Sequence, residues 1–173
     1  MKRIVTAKVN NQAGVLNRVT GLFSKRHFNI ESITVGHTET PGTSKMTFVV
    51  HVDSRQDIEQ LLKQLNKQID VLKVSDITDQ QIVARELALI KVASPPQTRS
   101  ELVGLIEPFR AGIIDVSRDS VTVQVTGDSE KIEALIDLLR PYGIKELART
   151  GITAFPRASQ KSVTNMKQYS IIK

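Results

Sequence analysis

The side chains that could do chemistry in this sequence are three histidines, a scatter of carboxylates and one turn rich in Asn and Gly. His27, His37 and His51 could shuttle protons or hold a metal, since imidazole titrates near neutrality. A helical metal site needs ligands about four residues apart, or an acidic partner at similar spacing, and none of the three has one. His27 falls at the end of a helical stretch, where a cation suits the exposed carbonyl ends. His37 and His51 fall at exposed strand positions. The carboxylates of Glu101, Glu107, Glu130 and Glu133 are spread over helix surfaces. No Cys is present, which excludes disulfides, thiolate nucleophiles, thiolate metal sites and iron–sulfur clusters, and suits a reducing cytoplasm. There is no G-x-S-x-G elbow, P-loop or G-x-G-x-x-G. Catalysis by this chain alone is therefore not expected, nor is a metal or cofactor of its own.

The turn Asn10-Asn11-Gln12-Ala13-Gly14-Val15-Leu16 is the more informative feature. A glycine beside a helix start permits close backbone approach, and free N–H groups there attract an anion such as a carboxylate. Asn11 can donate and accept hydrogen bonds, which suits a zwitterion. Asn29 and Ile30 open the next extended stretch, and Val35 lies further along it. Amides beside small branched side chains suit the head and tail of a small aliphatic amino acid. The same residues also suit a plain structural role, with Asn-Asn as a helix cap, Gly14 as turn chemistry, and Ile30 and Val35 as core. The residues by themselves leave both open.

The elements around this turn form a pattern that occurs twice. Residues 3–9 alternate, with Val5, Ala7 and Val9 on one side. Val15, Leu16, Val19, Leu22 and Phe23 fall on one helical stripe. Residues 29–38 are extended, and Thr40-Pro41-Gly42-Thr43 turns the chain into a strand over 44–52 with Met46, Phe48, Val50 and Val52 inward. Asp53/Ser54 caps a helix bearing Ile58, Leu61, Leu62 and Leu65, and residues 70–78 close the unit as a strand. Residues 81–155 repeat the order, with strands at 81–93, around Ile113 and Ile114, through Val121, Val123 and Val125, and over 144–155. Its helices carry Leu102, Leu105, Ile106 and Phe109, then Ile132, Leu135, Ile136 and Leu139 behind an Asp128/Ser129 cap. Gly21-Leu22-Phe23 matches Gly104-Leu105-Ile106, and Ile58-Glu59-Gln60-Leu61-Leu62 matches Ile132-Glu133-Ala134-Leu135-Ile136. The pattern predicts an α+β chain of two tandem ferredoxin-like βαββαβ units, each an antiparallel sheet with two helices on one face. Ser94-Pro95-Pro96 stands where the first unit has its Asn and Gly, so a ligand turn is expected in the first unit alone. Val49, out of step with Val50, implies that the other sheet face is not fully polar and invites a partner sheet.

Composition sets the remaining bounds. The 173 residues allow one large domain or two small ones, and 40% hydrophobic with 24% charged residues suits a folded globular chain rather than long disorder. No apolar run approaches the ~20 residues of a membrane span, and Lys8 interrupts the leading Met1–Val9 stretch, so neither a membrane segment nor a signal peptide is expected. The net charge of +6 suggests nucleic acid until it is located. Residues 1–78 hold 11 basic and 7 acidic side chains, residues 79–150 hold 9 and 11, and residues 151–173 hold 4 and none. Much of the excess thus belongs to a tail expected to be flexible. RNA binding by this fold type wants aromatic platforms on the central strands. The first strand has none, and the parity of Phe48 turns it to the core.

Residues 1–78 resemble an ACT domain, with Asn11-Gln12-Ala13-Gly14-Val15-Leu16 as its ligand turn. Asn29-Ile30-Glu31-Ser32, Val71-Leu72-Lys73-Val74, Phe109-Arg110-Ala111-Gly112-Ile113-Ile114-Asp115-Val116 and Ala148-Arg149-Thr150-Gly151 resemble the small, regulatory subunits of acetolactate synthase (acetohydroxyacid synthase). The resemblance spans about residues 2–157. It implies an ACT domain at 1–78 that binds an amino acid and dimerises, a regulatory ferredoxin-like domain at 79–157, and a basic flexible tail at 158–173. It also implies a non-catalytic subunit that activates a large catalytic subunit and confers feedback inhibition by valine in branched-chain amino-acid synthesis. That partner would carry thiamine diphosphate, Mg²⁺ and FAD. The family's valine-binding positions carry onto Asn11, Gly14, Asn29 and Ile30, with Val35 as a further candidate. A free-standing amino-acid sensor of a transcriptional regulator is the alternative, and it should bring a DNA-binding helix-turn-helix that the sequence does not display.

Overall fold

Alternation at Val5, Ala7 and Val9 builds β1 (Lys2–Asn10), whose inward side chains are at most 1% exposed. The computed structural model describes residues 1–158, so the tail expected over 158–173 lies, past Ala158, outside the described residues. After β1 come α1 (Val15–Lys25), β2 (Asn29–His37), β3 (Thr43–His51), α2 (Arg55–Asn66) and β4 (Val71–Asp76). The second unit supplies β5 (Ile82–Ala93), α3 (Arg99–Ile106), β6 (Gly112–Val116), β7 (Ser120–Gly127), α4 (Ser129–Leu139), β8 (Ile144–Arg149) and β9 (Thr153–Pro156). The sheets run β2-β3-β1-β4 and β6-β7-β5-β8, the same antiparallel order twice, with β9 paired to β5. This is the expected tandem ferredoxin-like α+β architecture.

Each sheet buries one face against its helices. Val5, Phe48, Val50, Val19, Phe23, Leu61 and Leu65 meet in the first core, and Ile90, Val123, Leu102, Ile132 and Leu135 in the second. Ser54 caps α2 with a reciprocal box to Asp57, and Asp128 caps α4 by accepting the Lys131 N–H at 2.9 Å. His27 and Arg110 hold matching posts after α1 and α3, both left-handed at φ 58° and 51°. In each unit the next residue donates its N–H back to the helix, Phe28 to Phe23 at 3.0 Å and Ala111 to Ile106 at 3.3 Å. His27 thus ends α1 through its backbone. Leu16 does not share the α1 stripe and stands 44% exposed.

Two expectations are corrected. The last strand, expected over 144–155, breaks at Thr150–Ile152 into β8 and β9, because Gly151 turns the chain at φ +79°. β8 pairs with Ala88–Val92 of β5, whereas β9 pairs with Ile82–Arg85. The second correction follows from the first. The ribbon of β9 and the start of β5 lies over the outer face of the first sheet. There Val49 (0% exposed), Ile77, Ile152 and Ala154 form a third apolar cluster with Ile4, Ile82 and Ala84 around it. The apolar face announced by Val49 is covered by the chain's own second unit rather than by a partner sheet.

Candidate functional site

The turn after β1 is held by backbone bonds on both sides. Asn10 donates its N–H to the Asp70 carbonyl and Asn11 to the Gly42 carbonyl, each at 2.8 Å. Gly14 then takes φ +81° as the residue before α1, a conformation that suits glycine. No side chain caps α1, so Asn10 and Asn11 are not its cap. Among the described residues the N–H groups of Ala13, Gly14 and Leu16 meet no acceptor, which leaves a cluster of donors at a helix start.

Arg18 stands one turn into α1 and was not singled out by the sequence. Its Nη2 donates to the carboxylate of Asp70, which is 11% exposed at the side chain. Its Nη1 lies 3.2 Å from where a Gly14 Cβ would be. One guanidinium nitrogen is anchored, and the other faces the turn. The four-residue spacing from Gly14 was readable as one helical turn. Asp70, 52 residues away, was not.

The expected ligand residues do not converge within one chain. β2 pairs Asn29 with His51 and His37 with Ser44, while β1 pairs Lys2 with His51 and Asn10 with Thr43. Asn11, Gly14 and the 48%-exposed Val35 therefore lie toward one end of the sheet, and Asn29 and Ile30 at the other. At about 3.3 Å per residue, the ends of β2 are about 26 Å apart. Val35 lines a cleft of about 280 Å³ with Thr34, Gly36 and Lys45. β2 is an edge strand, with one side of its backbone unpaired in the chain.

The other face of β2 touches the second unit. Thr34 donates its hydroxyl to the Ile152 carbonyl at 2.8 Å, and a Cβ on Gly151 would come within 2.9 Å of Ser32 Cβ. On neighbouring β3, Lys45 donates to the Ala154 carbonyl at 2.8 Å and lies 5.6 Å from the Phe155 ring centroid. Partial burial there pulls the Lys45 pKa below its usual value. Just before Gly151, Arg149 forks onto Glu86 at 2.6 and 3.0 Å and reaches Glu133 as well. The bonds from Glu86, then from Glu133, raise the Arg149 pKa further above its usual value, against the opposing effect of burial. A cleft of about 410 Å³ between the units is lined by these charges, by Lys2 and Glu31, and by Ser32 and Gly151.

His37 and His51 are exposed on their strands, and among the described residues no three His, Asp or Glu side chains are placed to hold a metal ion. No helix of the described residues is long and apolar enough to cross a membrane.

Comparison with known proteins gives these features a family. A profile described as "AHAS small subunit-like ACT domain" matches residues 6–73, and one described as "Small subunit of acetolactate synthase" matches residues 85–158. The acetolactate synthase small subunit of Bacillus subtilis is 69% identical over 172 residues, covering 99% of this chain and 100% of that one. The probable acetolactate synthase small subunit of Archaeoglobus fulgidus is 55% identical, over 93% of this chain and 100% of its own. The crystal structure of the Thermotoga maritima acetolactate synthase small subunit superposes with a TM-score of 0.83 at 42% identity, over 92% of this chain and 99% of that one. The likeness holds across both sheets and the ribbon joining them, and the chain belongs to the family of acetolactate synthase small subunits.

Proposed function

We propose that this chain is a non-catalytic, cytoplasmic regulatory subunit that activates the catalytic large subunit of acetolactate synthase and makes it sensitive to valine. Thiamine diphosphate, Mg²⁺ and FAD belong to that partner, and neither nucleic acid nor a membrane has a part. Residues 1–78 act as the effector-binding, dimerising unit, and residues 79–157 as the second regulatory unit. The observation that carries the reading is the Gly14 turn, where free N–H groups and the Nη1 of Arg18 lie together at the end of the central strand β1. A valine carboxylate fits these donors, and Asn11 suits the ammonium head.

The opposite placement of Asn29 and Ile30 has a simple resolution. Two β2 strands pairing antiparallel about a two-fold axis bring the Asn29 end of one to the His37 end of the other. Asn29 and Ile30 of a second copy then close the pocket begun by Asn11, Gly14 and Val35. Each pocket spans two chains, so valine biases how they sit together, and the large subunit responds to that geometry. The test is calorimetry of the purified chain with valine, leucine and isoleucine, followed by large-subunit activity with and without it. Valine binding, together with valine inhibition that appears only when this chain is added, is the expected result. Indifference to all three amino acids at millimolar concentration overturns it.

A further inference from the structure

β2 carries Ile30 and Val35 on its helix-facing side, and on its other side, at Ser32 and Thr34, it carries the second unit. Ser32 and Thr34 point to the outer face, paired across the sheet with Val49 and Thr47, while Ile30 and Val35 pair with Val50 and Met46 of the core. The chain segment resting on Ser32 and Thr34 is Thr150–Ile152, the break between β8 and β9. Thr150 is still tied to the second sheet, its N–H reaching the Leu87 carbonyl at 3.0 Å and its hydroxyl accepting the Leu87 N–H at 3.1 Å. Ile152 is already in the apolar cluster of the first unit. Three residues thus span the two units, and the middle one is a left-handed glycine against a serine of β2.

We propose that Thr150–Ile152 is the strap through which effector occupancy at β2 reaches the second unit, with Thr34 and Ser32 as its contacts. This rests on the effector reading given above. The strap is suited to the task in three ways. It touches the strand whose setting a bound ligand at the two-fold seam would change, on the face opposite Ile30 and Val35. Gly151 makes a close, shape-dependent contact, because any side chain there would meet Ser32. Arg149, two residues before it, is locked to Glu86, where β5 enters the second sheet, and to Glu133 on α4, so a shift at Gly151 is passed to both. The cleft beside the strap leaves room for such a shift.

The test uses the full chain with its large subunit. Thr34→Val removes the bond to Ile152 while keeping the shape of the side chain. Gly151→Ala puts a methyl against Ser32, and Ser32→Gly in the same chain removes the obstacle. Expected for Thr34→Val and Gly151→Ala are calorimetric valine affinity within about threefold of the parent, full activation of the large subunit, and a tenfold or greater rise in the valine concentration needed for inhibition. Ser32→Gly should restore inhibition to Gly151→Ala, the non-additivity expected of two groups in contact. Should Gly151→Ala not accumulate, Thr34→Val carries the test alone. Unchanged inhibition in Thr34→Val and in any Gly151→Ala obtained overturns the strap. A parent chain that confers no valine inhibition overturns the effector reading and the strap with it, so the two failures are told apart by the parent.

Discussion

Gly14 and Arg18 are in contact across the first turn of α1, and a Cβ on the glycine would sit 3.2 Å from the arginine Nη1. This relationship sharpens what a substitution at Gly14 does. Gly14→Ala must hold φ +81° with a side chain, at about 1 kcal/mol or more, and must move Arg18 slightly. Gly14→Asp places a carboxylate where Arg18 can pair with it, in the space assigned to the effector carboxylate. The expected result is a roughly tenfold loss of valine affinity for Gly14→Ala and no measurable valine response for Gly14→Asp, by calorimetry, with both still activating the large subunit. Arg18→Gln should erode the preference for valine over valinamide. Parent-like inhibition in Gly14→Asp would refute the pocket assignment.

With Gly14 at one end of the first sheet and Asn29 at the other, the proposed pocket requires a dimer. Sedimentation should give a mass near twice the 19.2 kDa of the chain. Val35→Asp puts a charge on the exposed apolar end of β2, and it should shift the chain toward monomer and weaken valine binding in step. A monomeric parent that still binds valine would show that one chain holds the whole pocket.

What the sequence made legible was what neighbouring residues decide. Val121, Val123 and Val125 alternate because the strand pleat does, and Ser54 and Asp128 cap their helices through residues three positions on. Val49 announced a buried outer face, but the residues that bury it, Ile152 and Ala154, are over a hundred positions away. The break after Arg149 had a local signal in Gly151, a glycine inside a strand pattern, which commonly marks a bend. The residues of β8 and β9 nevertheless look like one strand until their two pairings along β5 are known. At the site, Gly14 and its turn were readable. The anchoring of Arg18 by Asp70 is a long-range contact with no trace in local spacing.

Arg149 and Glu86 allow a test of the second unit's rigidity. The Glu86 carboxylate is 4% exposed and is held mainly by the Arg149 fork, with Ser129 more distant at 3.4 Å. Arg149→Ala leaves that charge buried with little else to hold it, so urea unfolding should show a loss of about 3 kcal/mol. Glu133→Ala removes a half-exposed partner of the same arginine, and it should cost less than about 1 kcal/mol. Equal effects of the two would mean that the buried pair is not what braces β8.

The ribbon over the first sheet should come away as a unit. Its grip is apolar, through Val49, Ile77, Ile152 and Ala154, with Thr34 and Lys45 bonding the Ile152 and Ala154 carbonyls. Val49→Ala removes two buried methyl groups from that cluster, worth about 2 kcal/mol with the cavity included. Val49→Asp should expel the ribbon, because a carboxylate there has no partner among Ile4, Ile82 and Ala84. In Val49→Asp, amide exchange should then quicken in Ile82–Arg85 and Thr153–Phe155, in the ladder between β9 and the start of β5. It should stay slow in Ala88–Val92, paired on both sides by β7 and β8. Uniform quickening through both segments would mean that the ribbon and the second sheet open together, and that the first unit's face is a brace for the whole second unit.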